Sequence, residues 1–248
     1  MKRFKVEICC GSADDVIQAA LAGADRVELN ASLFQGGLTP TVGMLRVAKR
    51  HARVPVMCMI RPREGGFCYT DGEYATALAD AAALLETGAE GIVFGFLHRD
   101  GTLDVERCGE LARLAGGRET VFHRAIDVVP DWKRALDQLI DLGVTRVLTS
   151  GQQPSAYYGA GTIAEMVAHA AGRIEILPGA GITADNAGQV LEKTGCDQVH
   201  LSMHKVCRDE SAGGNPQIHF GGALYPPEDR FKMVDRGGVE RLMKLTGQ

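Results

Sequence analysis

The amino-acid sequence predicts a single (β/α)8 TIM barrel, and three observations support this fold class. Eight short apolar runs recur along the 248 residues, and segments with helical periodicity separate them. Four of these segments end in a glycine and a small residue before the next apolar run, as in the loops that connect a helix to a buried strand. Eight such units in about 250 residues match the size of a closed barrel. An open, doubly wound sheet is the structural alternative.

The eight apolar runs are predicted to be the strands of one parallel sheet. Apolar residues that share one helical face, such as Leu78 and Ala81, indicate the helices between them. Helix start signals are found at Asp104 and at Thr39, which precedes Pro40. The glycine stop signals lie at 22–27, 87–92, 142–147 and 194–199. The predicted strands are 4–9, 26–30, 54–60, 91–96, 120–124, 146–149, 174–177 and 198–202.

We predict one domain over residues 1–248, because this length and a hydrophobic content of 45% are sufficient for one large core. The segment 203–235 is long for a terminal connection and contains paired glycines at 213–214 and paired prolines at 226–227. Long connections of this kind are usually functional. We therefore expect the segment to be a lid or a subunit contact, and we expect a homo-oligomer because barrels commonly form oligomers.

Composition and charge argue against nucleic-acid and membrane partners. The formal net charge is −4, and lysines and arginines are spread along the chain without a basic tract. No apolar run approaches the roughly 20 residues of a membrane span, and early charges argue against a signal peptide. The 7 cysteines lack repeated Cys-x-x-Cys spacing and are expected to be reduced thiols. We expect a cytoplasmic protein that binds a small molecule or a metal ion.

Charged and imidazole side chains interrupt several predicted strands. Ionised groups are rarely buried unless they are paired or act as ligands, so these strands indicate one shared polar site. In a barrel, that site is the mouth formed by the C-terminal ends of the strands. Alternation along a strand places Cys9 beside Glu7 and Asn30 beside Glu28. The residues expected at the mouth are Glu7, Glu28, Arg61, Arg63, His123, Arg124, His200 and Ser202.

Two carboxylates and two imidazoles among these residues favour a divalent metal site or proton transfer. Zinc and manganese accept such ligands, whereas Cu(I) prefers thiolate and thioether sulfur. The candidate ligands of a divalent ion are Glu7, Glu28, His123 and His200. The alternative is a buried ion-pair network without chemistry, in which the two glutamates pair with Arg61 and Arg124. Either histidine alone could also be an ordinary hydrogen-bonded core residue.

A glycine-rich turn after the seventh predicted strand is a candidate anion site. Gly179 and Gly181 precede a helix, whose free backbone amides and dipole favour a phosphate or carboxylate. Ser150, after the sixth strand, could contribute a hydroxyl. Barrels commonly bind phosphate in this region. The alternative is a tight turn that requires glycine for its backbone geometry alone.

Several ordered blocks of the sequence resemble the CutC copper homeostasis protein family. The segment 23–29 reads Gly-Ala-Asp-Arg-Val-Glu-Leu and leads to Gly-Gly-Leu-Thr-Pro at 36–40. Further matching blocks lie at 7–9, 60–63, 66–71, 122–127, 146–151 and 199–200. The resemblance extends from the first strand to about Ser202. It implies a TIM barrel, in agreement with the periodicity.

The resemblance also implies cytoplasmic copper handling, with copper bound by cysteine in some members. Cys9 matches one of the cysteines concerned, but Asn30 stands where members often have the second. Gln35 replaces a common glutamate, and Leu201 replaces a common serine. A site with two thiolates is therefore not expected. The polar residues of the mouth that match the family are Glu7, Glu28, Arg61, His123, Arg124, Asp127 and His200.

Three hypotheses follow. The resemblance implies a metal-binding protein of copper homeostasis, with Cys9 as a ligand. The alternative is an acid–base enzyme, a lyase or isomerase acting on a small sugar-like or anionic substrate. In that enzyme Glu7 or Glu28 would be the base, a histidine the acid or a metal ligand, and Arg61 the anion clamp. Buried arginines favour this second hypothesis, because a carrier of cations has little need of them. The third hypothesis is a structural barrel without chemistry.

Overall fold

The structure is a computed structural model and describes residues 3–215, 217–220 and 227–246. Eight parallel strands form one sheet in the order β7-β6-β5-β4-β3-β2-β1-β8. These strands are β1 Lys5–Cys10, β2 Arg26–Leu29, β3 Val56–Met59, β4 Gly91–Phe94, β5 Glu119–Phe122, β6 Arg146–Thr149, β7 Glu175–Pro178 and β8 Gln198–Leu201. β1 pairs with both β2 and β8, so the eight strands form the predicted TIM barrel, and among the described residues β7 and β8 are the one neighbouring pair without a backbone ladder.

Eight helices among the described residues accompany the strands. They are α1 Ala13–Leu21, α2 Val42–His51, α3 Asp71–Thr87, α4 Val105–Leu114, α5 Trp132–Asp141, α6 Ala160–Ala170, α7 Ala187–Thr194 and α8 Arg236–Leu245. The predicted stop signals are confirmed, since Gly88 and Gly195 end α3 and α7 with φ of 105° and 73°. Asp104 caps α4 as predicted. Thr41, rather than Thr39, caps α2.

Alternate residues of each strand face either the helices or the barrel interior. The outward residues join the helices in the main core, which includes Val6, Ile8 and Val27. A separate apolar cluster fills part of the interior between β3 and β7. Its members are Met57, Met59, Val93, Val121, Leu148 and Leu177. The thioethers of Met57 and Met59 are therefore packing groups of the interior core.

The fifth strand is shorter than predicted. It ends at Phe122, and residues Arg124–Val128 form a 3-10 turn. The turn begins because His123 Nδ1 accepts a hydrogen bond from the Ala125 amide at 3.1 Å, which bends the chain away from the ladder. Arg124 consequently lies in the turn beyond the strand and is not part of the sheet.

The segment 203–235 contains an antiparallel pair, β9 His204–Arg208 and β10 Arg230–Val234. This hairpin is attached to α1, because the Val234 amide donates to Asp15 Oδ1 at 2.7 Å. Residues 216 and 221–226 of the segment lie outside the described residues. The role of the segment as a lid or subunit contact stays a prediction. No helix within the described ranges combines the length and the apolar character needed to cross a membrane.

Candidate functional site

Cys9, Glu28 and His200 form a compact group of potential metal ligands in the barrel. Cys9 is level with Glu28 in the pairing of β1 with β2, while His200 lies on the other neighbour of β1. One ligand atom from each of the three residues lies within 4.8 Å of the other two. Two of the four predicted ligands of a divalent ion, Glu28 and His200, belong to this group, and Cys9 joins them.

Glu7 contacts this group through the His200 ring. Its Oε1 lies 2.7 Å from His200 Nδ1, so Nε2 is the ring nitrogen left for a ligand. The other oxygen of Glu7 pairs with the Arg26 guanidinium. Burial opposes ionisation, but Arg26 and His200 outweigh it and lower the pKa of Glu7 to about 2. A carboxylate that bonds the second nitrogen of a ligand histidine is typical of metal sites.

Burial and the charges of neighbouring side chains shift the pKa values of Cys9, Glu28 and His200. Burial raises the pKa of Glu28 and of the Cys9 thiol. Burial would lower the pKa of His200, yet Glu28, Cys9 and Glu7 together hold that pKa well above its usual range. The carboxylates of Glu28 and Glu7 therefore favour the charged form of the His200 imidazole.

Asn30 completes the polar group at the end of β2. Its Nδ2 donates to Glu28 Oε1 at 2.9 Å and lies 3.6 Å from the Cys9 sulfur. Glu28 Oε2 and Asn30 Oδ1 are buried without a hydrogen-bond partner in the part of the chain that the structure describes. Buried polar atoms normally have partners, so these two oxygens indicate a place for a ligand.

A chain of ion pairs that the sequence analysis missed runs beneath the group. Arg26 Nη2 donates to Gln198 at 3.1 Å, and Gln198 donates to Glu175 at 3.2 Å. Glu175 accepts from Arg146 at 2.7 Å, and Arg146 also pairs with Glu119 at 2.9 Å. The predicted ion-pair partners of the glutamates, Arg61 and Arg124, were therefore wrong. Arg26 pairs with Glu7, whereas Arg146 pairs with Glu119 and Glu175.

The structure does not bring His123 to the other predicted ligands. Its ring packs on Phe67 with centroids 4.8 Å apart, and its Nδ1 accepts from the Ala125 amide. Nε2 is buried without a hydrogen-bond partner among the described residues. Burial, together with the charges of Arg61 and Arg124, lowers the pKa of His123 to about 3. His123 is therefore a neutral donor at the mouth.

Arg61 has its own set of contacts at the mouth. Its Nη1 donates to the carbonyls of Gln35 and Gly37, both at 3.0 Å, and its Nη2 donates to Gly65 at 2.8 Å. The guanidinium lies over the Phe67 ring, 5.6 Å from the centroid. These bonds join the loops after β2 and β3. Only the Nε–H of Arg61 is buried and unbonded within the described chain.

Arg124, Asp127 and Ser150 form a third polar group, between β5 and β6. Arg124 Nε donates to Asp127 at 2.9 Å, and Arg124 Nη2 donates to the Ser150 hydroxyl at 2.8 Å. Asp127 also accepts from the Thr149 hydroxyl and from the amides of Ser150 and Gln152. This carboxylate is saturated with donors, so the group orders the loops.

The glycines of the predicted anion site are placed in a tight turn. The Gly179 amide donates to the Thr149 carbonyl at 2.9 Å, and a side chain at position 179 would collide with Leu148. Gly181 has a φ of 66° and leaves no room for a side chain beside Ser155. Both glycines are thus required by backbone geometry and close packing. Anion binding at this turn stays a prediction.

The comparisons with known proteins agree with the family resemblance of the sequence. The family model described as "CutC family" matches residues 4–205. The chain belongs to the CutC family. A CutC family protein of Treponema denticola is 53% identical over 245 residues, which cover 99% of this chain and 98% of that protein. The human protein named copper homeostasis protein cutC homolog is 39% identical over 243 residues, which cover 98% of this chain and 89% of that protein.

A solved CutC structure shows the same fold. The crystal structure of a CutC protein from Streptococcus agalactiae, described as a copper homeostasis protein, superposes with a TM-score of 0.76. It is 34% identical and covers 79% of this chain and 97% of that one. The CutC barrel assignment therefore rests on sequence and structure together.

Proposed function

We propose that this chain binds copper in the service of copper homeostasis, with Cys9, Glu28 and His200 as the ligands. The observation that carries the proposal is the convergence of these three side chains, whose ligand atoms lie within 4.8 Å of one another. The names of the human and streptococcal relatives supply the identity of the ion. Copper is the cargo in this proposal. The presence of a free thiol favours a reducing compartment such as the cytoplasm.

The donor set is chemically compatible with copper. Thiolate sulfur selects Cu(I), and imidazole is a good copper ligand, so Cys9 and His200 would form the strongest bonds. Glu28, with its unpartnered Oε2, would be the third and weaker ligand. Glu7 would hold the His200 ring with Nε2 directed at the ion. Binding would release the protons of Cys9 and His200, because both ligands must be deprotonated.

Titration of the reduced, chelator-treated protein with Cu(I) against a competing chelator tests this proposal. One ion per chain is expected to bind, and Cys9→Ser and His200→Gln should each weaken binding at least tenfold, equivalent to about 1.4 kcal/mol. Cys68→Ser is the matched control, because Cys68 is an exposed thiol outside the group. Equal affinity in wild type and Cys9→Ser would contradict the proposal, as would binding of zinc but no copper.

An acid–base lyase or isomerase remains the second candidate. Two buried donors favour it, since His123 Nε2 and Arg61 Nε lack partners in the described chain. These donors are suited to an oxygen atom that gains negative charge during a reaction. This function expects His123→Asn to abolish turnover while copper binding persists. The copper function expects the reverse pattern, with Cys9→Ser as the damaging change.

A further inference from the structure

A cavity of about 460 Å³ lies between the barrel mouth and the β9–β10 hairpin. The loops that follow β1, β2 and β8 form its floor, and both hairpin strands form its roof. This volume is within the range of small-molecule sites, and the C-terminal face is where barrels bind ligands. Cys9, Glu28 and His200 do not line it, so the cavity is separate from the proposed copper ligands.

Two polar side chains that line the cavity, His204 on β9 and Asp15 on α1, lie close together without a hydrogen bond between them. His204 Nε2 lies 4.0 Å from Asp15 Oδ2, which is too long for a hydrogen bond. Both side chains are buried, at 7% and 2% exposure, and Nε2 has no partner among the described residues. A hydroxyl between them could accept from one and donate to the other.

The orientation of both groups is fixed by their neighbours. Asp15 Oδ1 accepts from the Val234 amide at 2.7 Å, and Oδ2 accepts from the Gly11 amide at 2.9 Å. His204 Nδ1 lies 2.9 Å from the Ser202 hydroxyl. The nearby Asp15 carboxylate favours the tautomer with its proton on Nε2, so Ser202 donates to Nδ1. The pair is therefore preorganised for a hydroxyl ligand.

The remaining walls are suited to an anion with an apolar face. Leu33 and Val206 provide apolar surface, and Val206 lies on the same face of the hairpin as Lys232. Arg230 and Lys232, on β10, place two cations at the same cavity. Apolar surface with a few placed polar groups is the usual composition of a small-molecule site.

We propose that this cavity binds a small polyhydroxylated organic anion, of the class of sugar acids and sugar phosphates. One ligand hydroxyl lies between His204 and Asp15, the carbon skeleton packs on Leu33 and Val206, and the anionic group pairs with Lys232 and Arg230. The proposal does not rest on copper binding. A sugar-like or anionic substrate was one of the alternatives predicted from the sequence. The cavity would place such a ligand outside the barrel interior.

Calorimetric titration of the full, metal-free chain tests the proposal with three probes: gluconate, glucose 6-phosphate and ribose 5-phosphate. At least one is expected to bind at least tenfold more tightly than both glucose, which lacks the charge, and acetate, which lacks the hydroxyls. The proposal is overturned if none of the three binds below a concentration on the order of 10 mM. Binding no tighter than that of acetate or of glucose also overturns it.

Three variants distinguish this cavity from other sites. His204→Leu removes the donor and should weaken the bound probe at least tenfold. Lys232→Ala should reduce the affinity of the anionic probe to that of glucose and leave glucose itself unchanged. Lys205→Ala is the matched control, because Lys205 lies on the same hairpin but does not line the cavity. Unchanged probe binding in Lys232→Ala, an exposed position that leaves the fold intact, excludes this cavity as the site.

Discussion

The two sides of the barrel interior differ sharply in chemistry. On the side of β8, β1 and β2, the interior contains Glu7, Glu28 and His200. On the side of β3 to β7, the corresponding space is filled by six apolar side chains, including Val121, Leu148 and Leu177. Both sides are built from parallel strands, glycine-containing turns and outer helices of the same kind. The difference therefore lies in the inward-facing residues alone.

This difference assigns stability to the apolar side of the interior and binding to the polar side. A buried aliphatic side chain contributes about 1.5–3 kcal/mol, so the apolar side stabilises the barrel directly. Buried ion pairs contribute little net free energy, because the cost of removing charges from water offsets their attraction. The polar side is consequently expensive to maintain. Its retention is best explained by a role in binding.

The largest expected effect is at the pair that anchors the polar side. Glu7→Gln removes the negative charge between Arg26 and His200 and leaves the buried Arg26 guanidinium without its carboxylate partner. We expect a loss of about 3–5 kcal/mol in the free energy of unfolding, measured by urea denaturation. The double variant Glu7→Leu with Arg26→Met should recover much of this loss. A loss below about 1 kcal/mol for Glu7→Gln would remove the energetic basis of the comparison.

A truncation on the apolar side should separate stability from binding. Leu177 is fully buried in the interior cluster, and Leu177→Ala should cost about 3 kcal/mol of unfolding free energy by leaving a cavity. Copper affinity should stay within a factor of two, because Leu177 belongs to the apolar cluster and is not one of the proposed ligands. A parallel loss of copper affinity would show that the two sides are not independent.

The buried His123 provides a pH test at the mouth. Its pKa is lowered to about 3 in the folded chain, so the unfolded chain binds more protons between that pH and about 6.5. Its contribution to stability is complete above pH 6.5 and is lost as the pH falls. Relative to His123→Asn, which keeps an acceptor for the Ala125 amide, wild type should lose about 2 kcal/mol between pH 7 and pH 5. Equal pH dependence in both proteins would contradict a buried neutral imidazole.

The smallest effect is a gain of affinity on the polar side. Asn30 Nδ2 lies 3.6 Å from the Cys9 sulfur, so a thiol at position 30 would lie beside the first one. Asn30→Cys should increase Cu(I) affinity at least tenfold, equivalent to about 1.4 kcal/mol, since Cu(I) prefers sulfur. Asn30→Ser is the matched control and should give no gain. An unchanged affinity in Asn30→Cys would mean that the ion binds elsewhere.

The sequence was sufficient to predict the barrel because each local signal repeats with every unit. The glycines at 88 and 195 and the cap at Asp104 act within one turn of chain, so their effect can be read without tertiary information. Alternation also correctly placed Cys9 and Asn30 near their glutamates. The end of β5 was mispredicted, because the bond from the Ala125 amide to His123 competes with the ladder.

The partners of the polar residues could not be read in the same way. Which residues become level across strands depends on the shear of the closed sheet, and shear brings Arg26 beside Glu7. His123 and His200 looked equivalent because both end a strand. Strand five, however, lies opposite strand one in a closed barrel of eight, so His123 faces Phe67 rather than Glu7. Counting strands around the barrel would have separated the two histidines.

The boundary between β7 and β8 is held together differently from the other strand boundaries of the barrel. Backbone ladders connect the other seven pairs of neighbouring strands. Between β7 and β8, the described residues show hydrogen bonds from the Gln198 side chain instead. Gln198 donates to Glu175 at 3.2 Å and to the Ile176 carbonyl at 3.5 Å. Among the described residues, the barrel thus has one boundary between neighbouring strands without a backbone ladder. Because His200 lies on β8, the Gln198 side chain helps to fix the strand that carries His200 against β7.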